Sequence, residues 1–229
     1  MSGYLRKNLS IIIPTLNSEN TLIETIDSVK NINEIIIVDG GSIDKTIDIV
    51  KSLNVQLFHS NKGRGTQLFK GAENSSKDWL LFIHSDTRLE NRWELAAEKF
   101  IKDNKNLKAG CFFLNFKNTN KKLKIISTFA NLRTKYLSLP YGDQGLLISK
   151  SLYLNAGGYA KIPIMEDVEF IIRLGRKRID FIQATIYTSP ERYIDQGYIL
   201  RSIQNIFCLI LFLVGFPANK IQKIYEKKF

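Results

Sequence analysis

One stretch constrains this chain most. Trp79-Leu80-Leu81-Phe82-Ile83 runs apolar without alternation and then breaks into His84-Ser85-Asp86-Thr87. A strand with no polar alternation is buried on both faces, so helices must cover both sides of the sheet that contains it. Its abrupt polar end falls at the carboxyl edge, where open α/β sheets take their ligands. A carboxylate among hydroxyls suits a hard divalent cation that also draws oxygens from a substrate phosphate. Ser, Asp and Thr serve equally well in a turn or helix cap, so this stretch alone leaves both readings open.

The chain around it alternates in the same style. Ser10 to Ile13 is an apolar strand ended by Pro14. Thr21 to Val29 has Leu22, Ile23, Ile26 and Val29 at helical spacing, with Thr21 and Glu24 placed for a capping box. Glu34 to Val38 is a second strand, closing on Asp39-Gly40-Gly41-Ser42. A helix from about Asp44 to Leu53 follows, capped by Asp44 or Ser42, then a strand at Val55 to Phe58 and a helix opening at Gly63. This β-α-β-α-β-α-β order predicts a parallel sheet with right-handed crossovers.

Downstream, the spacing predicts a helix over Trp93 to Ile101, a strand over Cys111 to Phe116 and a strand over Gly145 to Ser149. It also predicts a helix over Val168 to Leu174 and a strand over Ile179 to Tyr187. Leu123 to Leu137 shows a weaker helical pattern whose Lys and Arg content leaves room for mobility. No Pro, Gly or Ser-rich linker divides the chain, so residues 1–200 read as one domain and 201–229 as its extension.

A content of 44% hydrophobic and 24% charged residues excludes a disordered chain. The segment from Met1 to Leu9 lacks the apolar core of a secretory signal. Cys111 and Cys208 sit in separate apolar runs without metal-ligand spacing, as expected of core thiols in a reducing compartment. The net charge of +11 points to an anionic partner. Its late clusters are Lys121-Lys122-Leu123-Lys124, Arg173 to Arg178 and Lys220 to Lys228. No nucleic-acid module or aromatic-basic stacking platform accompanies them, so nucleic acid is not expected as a partner. A solvated basic surface is the simplest alternative.

Two predicted strands end in aspartate, at Asp39 and Asp86. Neighbouring parallel strands should bring both carboxylates to one crevice. Gly40-Gly41 permits close backbone approach to a ligand, or simply a tight turn. Arg64, between Gly63 and Gly65, is placed to meet a phosphate or a base, or to stand in solvent. Tyr141-Gly142-Asp143-Gln144-Gly145 is a polar turn before a strand. Glu166-Asp167 opens a helix, where acids act as caps and dipole partners, or as a general base if they face the crevice.

Together these motifs resemble an inverting family 2 glycosyltransferase with the GT-A fold. The match is carried by Ser10-Ile-Ile-Ile-Pro-Thr-Leu-Asn17, Ile36-Ile-Val-Asp-Gly-Gly-Ser42 and His84-Ser85-Asp86. Gly142-Asp143-Gln144-Gly145, Glu166-Asp167 and Arg192-Tyr193 extend it in order over roughly residues 9 to 195. The nearest resemblance is to short bacterial glycosyltransferase-2-like proteins. It implies a Rossmann-like, mostly parallel sheet flanked by helices, with a C-terminal apolar helix added.

The resemblance further implies that Thr15 and Asp39 hold the nucleotide base, with Arg64, His84 and Arg192 also on the donor side. Asp86 would be the metal-binding aspartate of the family's DxD motif, holding Mn²⁺ or Mg²⁺. Asp167 would be the catalytic base, with Asp143, Gln144 and Glu166 on the acceptor side. The implied donor is a nucleotide diphosphate sugar, UDP-linked, and the acceptor an unknown hydroxyl compound, with lipid and polysaccharide precursors as candidates. Departures are visible: His84 stands where the first DxD aspartate would be, Phe69 replaces an asparagine, and Tyr193 replaces tryptophan in an Arg-Trp pair. Rival readings are a nucleotidyltransferase, although Thr15-Leu16-Asn17-Ser18 is not a glycine-rich phosphate loop, and a basic membrane-associated binding protein without catalysis.

Ile206 to Phe216 is apolar all round and stops at Pro217. As a helix it covers ~16 Å, about half a bilayer core, and Arg201, Gln204 and Asn205 oppose upstream extension. A spanning helix is therefore not expected. A core helix, an oligomer contact and an interfacial anchor remain, and the basic tail favours an anchor on an anionic leaflet. The expected location is the cytosol, with peripheral contact on the inner face of the plasma membrane. Oligomeric state is not legible.

Overall fold

The apolar runs form strands where the alternation places them. The structure, a computed structural model, describes residues 3–104, 106–117 and 120–227; Met1 and Lys228 lie outside the described residues. Helix α1 (Gly3–Asn8) leads directly into β1 (Leu9–Thr15). Then come α2 (Leu22–Val29), β2 (Glu34–Asp39), α3 (Thr46–Ser52), β3 (Gln56–His59), α4 (Arg64–Asn74) and β4 (Trp79–Phe82). β2 and β4 flank β1 in parallel, with Thr15 opposite Asp39 and Ile12 opposite Phe82, and β3 pairs in parallel with β2. The carboxyl ends of all four strands thus share one edge.

Every residue of β1, β2 and β4 is buried. One face presents Ile11, Ile13 and Leu81 to Leu22 and Ile26 of α2, while the other presents Ile12, Leu80 and Phe82 to Leu68 and Ala72 of α4. Two covered faces account for the unbroken apolar runs. Each such side chain contributes roughly 1.5–3 kcal/mol by leaving water, so truncation at either layer strikes the part of the sheet that carries the crevice.

The second half is a mixed sheet. It contains β5 (Thr87–Leu89), α5 (Trp93–Asn104), β6 (Ala109–Phe116), α6 (Lys121–Leu137), β7 (Leu146–Ser149), α7 (Lys150–Asn155), α8 (Glu166–Leu174) and β8 (Ile179–Thr188). The strand order is β3-β2-β1-β4-β7-β6-β8-β5. β7 runs antiparallel to β4 and β6, β6 runs parallel to β8, and β5 closes the far edge antiparallel to β8. The segment between β4 and β5, residues 83–86, therefore bridges the two halves of the sheet.

Three local expectations change. Thr21 makes no side-chain cap to α2, and Glu24 instead reaches Lys117 at 2.6 Å and Arg88 at 3.6 Å, so the capping box does not form. The N-cap position of α3 falls on Lys45, which makes no side-chain cap, while Asp44 just upstream accepts on Oδ1 from the Thr46 N–H at 3.0 Å. The Leu123 to Leu137 pattern is a regular helix of 17 residues, opened by Asn120, whose Oδ1 accepts from the Lys122 N–H at 2.9 Å. Its signal is weak because the inward stripe, beyond Leu123, is Ser127, Ala130 and Thr134, all small or polar.

The C-terminal region departs most. After α9 (Glu191–Gln196), helix α10 (Tyr198–Leu213) starts well upstream of Ile206 and runs through Arg201, Gln204 and Asn205. Arg201 and Gln204 do not oppose the helix because they find partners, and Asn205 donates from Nδ2 to the Tyr193 hydroxyl at 3.2 Å. α11 (Ala218–Glu226) folds back on α10, and the Ile224 carbonyl accepts from Gln204 Nε2 at 2.7 Å while the Tyr225 carbonyl accepts from Arg201 Nη1 at 3.1 Å. Among the described residues no helix is long and apolar enough to cross a membrane.

Candidate active site

A crevice of about 340 Å³ opens at the carboxyl edge of β1 and β4. Its floor comes from the strand ends, one wall from the start of α4, another from the Gly142 turn and the start of α8. The remaining wall comes from α9, α10 and α11.

The β1–β2 corner is locked by Asp39. Its Oδ2 accepts from the Gly41 and Ser42 N–H groups at 2.8 Å each, and its Oδ1 accepts from Thr15 Oγ1 at 3.0 Å and from Ser42 Oγ. Burial alone would raise the Asp39 carboxyl, but the hydrogen bonds from Ser42, Gly41 and Thr15 outweigh it and hold it below the ordinary value. Asp39 is buried and does not itself line the crevice; Thr15 does. Gln67 of α4 completes the corner by donating from Nε2 to the Thr15 and Val38 carbonyls at 2.8 Å each. Nothing in the sequence singles out Gln67, because its partners lie 52 and 29 residues away.

The start of α4 packs tightly. A Cβ on Gly65 would stand 2.1 Å from the Ala160 carbonyl, so only glycine lets the helix approach residues 160–162. This approach pairs Arg64 with Glu166: Nε donates to Oε1, and Nη2 lies 3.4 Å from Oε2. Glu166 is fully buried by that contact and does not line the crevice, whereas Arg64 does.

Residues 83–86 are held from three sides. The Ile83 N–H donates to the Ile12 carbonyl at 3.2 Å, Thr25 Oγ1 donates to the Ser85 carbonyl at 2.9 Å, and the Ser189 N–H donates to the Asp86 carbonyl at 3.2 Å. His84 and Asp86 both line the crevice. Burial, with the Arg64 and Arg192 guanidiniums adding to it, holds the His84 imidazole well below its usual range, so it is neutral at neutral pH. Burial raises the Asp86 carboxyl above its ordinary value against the pull of Arg192.

Across the crevice, Asp167 Oδ2 accepts from the Gly142 N–H at 2.7 Å, and its Oδ1 accepts from the Val168 N–H at 2.7 Å. Met165, immediately before this helix start, adopts a left-handed φ of 64°, a strained setting for a residue with a side chain. Asp143 also lines the crevice, with Oδ1 buried and without a hydrogen-bond partner. Burial pushes its carboxyl up to about 6, opposed by Arg133 and reinforced by Asp167 and Asp86. Gln144 faces the other way. It is fully buried, its Oε1 accepting from Thr134 Oγ1 at 2.7 Å and Arg133 Nη2 at 3.0 Å, so it supports the turn from beneath and does not reach an acceptor.

Asp86 and Asp143 are thus two carboxyls that burial raises within one crevice. Among the described residues no cluster of three or more His, Cys, Asp and Glu side chains has metal-holding geometry.

Of the C-terminal wall, the sequence marks only Arg192 and Tyr193. Arg192 Nη1 donates to the Tyr225 hydroxyl at 2.7 Å, and the buried Arg201 guanidinium stands 4.0 Å over the Tyr225 ring. The basic C-terminal segment thus closes the crevice as well as carrying charge.

Comparison with known proteins places these observations. A family model described as Glycosyl transferase family 2 matches residues 10–155. The chain is 34% identical over 91 residues to the PGL/p-HBAD biosynthesis glycosyltransferase of Mycobacterium bovis, covering 35% of this chain and 36% of that protein. It is 28% identical over 95 residues to glucosyl-3-phosphoglycerate synthase of Petrotoga mobilis, covering 34% and 29% of the two chains. These matches span about a third of each relative's length. S. aureus TarS 1-349, solved in complex with UDP-GlcNAc, has a TM-score of 0.61 at 16% identity, covering 95% of this chain and 70% of that one. Glucosyl-3-phosphoglycerate synthase from Mycobacterium tuberculosis, solved with Mn²⁺, UDP-glucose and phosphoglyceric acid, has a TM-score of 0.60 at 18% identity, covering 94% and 84%. At such identities the likeness is one of fold.

Proposed function

The chain belongs to glycosyl transferase family 2 and carries the GT-A fold, and on that premise we propose that it moves a sugar from a nucleotide diphosphate sugar, UDP-linked, to an acceptor hydroxyl with inversion. The observation that carries this reading is one crevice in which Asp86, Asp167 and Arg192, drawn from three separate segments, face a common space.

The roles follow from the groups. Thr15 and the turn that Asp39 locks form the base site. Arg192, with Arg64 behind it, offsets the negative charge that develops on the departing diphosphate. Asp86 holds a divalent cation, Mn²⁺ or Mg²⁺, which when bound supplies Lewis-acid neutralisation of the same charge. Asp167 takes the acceptor proton: its oxygens keep lone pairs beyond those used by the Gly142 and Val168 N–H groups. The acceptor oxygen bonds to the anomeric carbon, the bond from that carbon to the diphosphate oxygen breaks, and the electron pair leaves with the nucleoside diphosphate. Asp143 lies on the acceptor side beside Asp167. An acceptor on a lipid or polysaccharide precursor, a cytosolic location and peripheral membrane contact through Ile206 to Phe216 belong to the same reading.

The test is a thermal-shift screen against nucleotide sugars with and without Mn²⁺. Binding to the folded state alone raises apparent stability, by about 2.7 kcal/mol at a hundredfold excess over Kd. A UDP-sugar should shift the midpoint, and more so with Mn²⁺. No shift with any nucleotide or nucleotide sugar contradicts the reading.

A further inference from the structure

Helix α10 is inverted relative to a helix packed in water. Its inward stripe is Arg201, Gln204 and Cys208, and the opposite face shows Ile199, Ile203, Ile206, Ile210 and Leu213. At 3.6 residues per turn that outer stripe lies directly across the helix from the buried polar one. These side chains are half or more exposed, Ile203 at 57% and Ile199 at 75%. Helix α6 shows a similar outer face, exposing Ile125, Phe129 and Tyr136 while burying Leu123, Ser127, Ala130 and Thr134. The two helices meet at their amino ends, where Asn120 Nδ2 donates to the Tyr198 hydroxyl at 3.3 Å. Two neighbouring helices with apolar outer faces exceed the scattered exposure ordinary for a protein in water.

Charge decides what covers this surface. Neither helix carries an acidic residue, and Lys121, Lys122, Lys124 and Lys135 stand exposed around the α6 stripe. Lys220 and Lys223 of α11 stand exposed as well, Lys220 over the Phe216 ring beyond the carboxyl end of α10. A second copy of this chain seated on the face would set like charges together, which is unfavourable. An anionic lipid surface accepts both the apolar side chains and the lysines.

We propose that α6 and α10 together form a docking surface for an anionic bilayer, with the helices lying in the interface rather than crossing it. This deepens the peripheral contact of the functional reading and does not depend on the transfer chemistry. Arg201 and Asn205 on the inner side of α10 line the crevice, so a bilayer on the outer side stands about one helix diameter, ~10 Å, away. An acceptor carried on a lipid fits that spacing.

The full chain is tested by co-sedimentation with phosphatidylcholine vesicles, with and without about a quarter phosphatidylglycerol, at roughly 0.15 M salt. It should sediment with the anionic vesicles only. Two variants with circular dichroism like the native chain, Ile206→Glu with Ile210→Glu on α10 and Phe129→Glu on α6, should each lose about tenfold or more of that partition. UDP affinity, measured in parallel, should not change. Absence of binding to anionic vesicles, or native binding by either variant, overturns the two-helix surface while leaving the transferase reading to its own test. So does a stable dimer in solution that the variants dissociate without any vesicle binding, which would make this face a self-association site.

Discussion

The backbone N–H of Gly142 donates to Oδ2 of Asp167 across 2.7 Å, joining a turn before β7 to the first turn of α8. The same glycine sits against His84, where a Cβ would stand 2.6 Å from Nε2. Three short motifs, spread over more than eighty residues of chain, therefore meet at one point. Their relative positions hang on a backbone group that no side-chain pattern announces.

Gly142→Ala tests that junction. The added methyl group would meet His84 and lie 3.4 Å from Asp167 Oδ2, so one of them must move. Overpacking of this kind costs ~1–3 kcal/mol, and a displacement near 1 Å at a reacting group can cost ~10²-fold in rate. The expected result is a folded protein with a lowered melting temperature and a turnover reduced to that extent. Native turnover would show that the contact does not position the carboxylate.

Asp86→Ala should remove the Mn²⁺-dependent part of UDP binding while leaving the fold intact. Loss of even an outer-shell partner of a metal site costs ~10–100-fold in affinity, so loss of the ligand itself should cost at least that. Calorimetric titration with UDP, in the presence and absence of Mn²⁺, makes the measurement. Equal metal dependence in mutant and native protein would move the metal site elsewhere.

The raised Asp143 carboxyl makes a signed prediction about pH. Below 3.8, the ordinary aspartate value, folded and unfolded chains both hold the proton. Between 3.8 and about 6 the unfolded chain releases it and the folded chain keeps it. The folded state binds more protons in that window, so stability falls as pH rises through it. Asp39 and Asp44, held below their ordinary values, act in the acid range under 3.8, whereas Asp86 and Glu166, raised by burial, add to the downward slope, so the variant removes only the Asp143 share. Denaturation of the ligand-free protein across this range should show a downward slope that Asp143→Asn reduces. An identical slope in the variant would place the titration on other groups.

The parallel half of the sheet was legible because both of its faces are covered, which makes β1, β2 and β4 continuous apolar runs. The aspartates and the Gly142 turn stood out as polar breaks at strand ends. What stayed hidden depends on distant partners. Gln67 matters because of carbonyls at Thr15 and Val38, and Arg201 because α11 returns to meet it. The resemblance assigned Gln144 and Glu166 to the acceptor side, yet Gln144 is committed to Thr134 and Arg133 and Glu166 to Arg64. Residue type alone does not say which way a polar side chain points. The facing of α10 stayed open for a related reason: apolar residues usually mark the inward face, and here many mark the outward one while Arg201 and Gln204 are buried.

The central claim is that Asp167 takes a proton from an acceptor during sugar transfer. Asp167→Asn keeps the side chain's size and an oxygen for the Gly142 N–H, but it cannot accept a proton at neutral pH. The decisive measurement is turnover of the UDP-sugar identified by the binding screen, in the native protein and in the Asp167→Asn variant, with UDP affinity measured alongside. A fall of ~10²–10⁴-fold in kcat with UDP affinity unchanged is the expected result. Near-native turnover by the folded variant would contradict it and leave Asp167 as a helix cap.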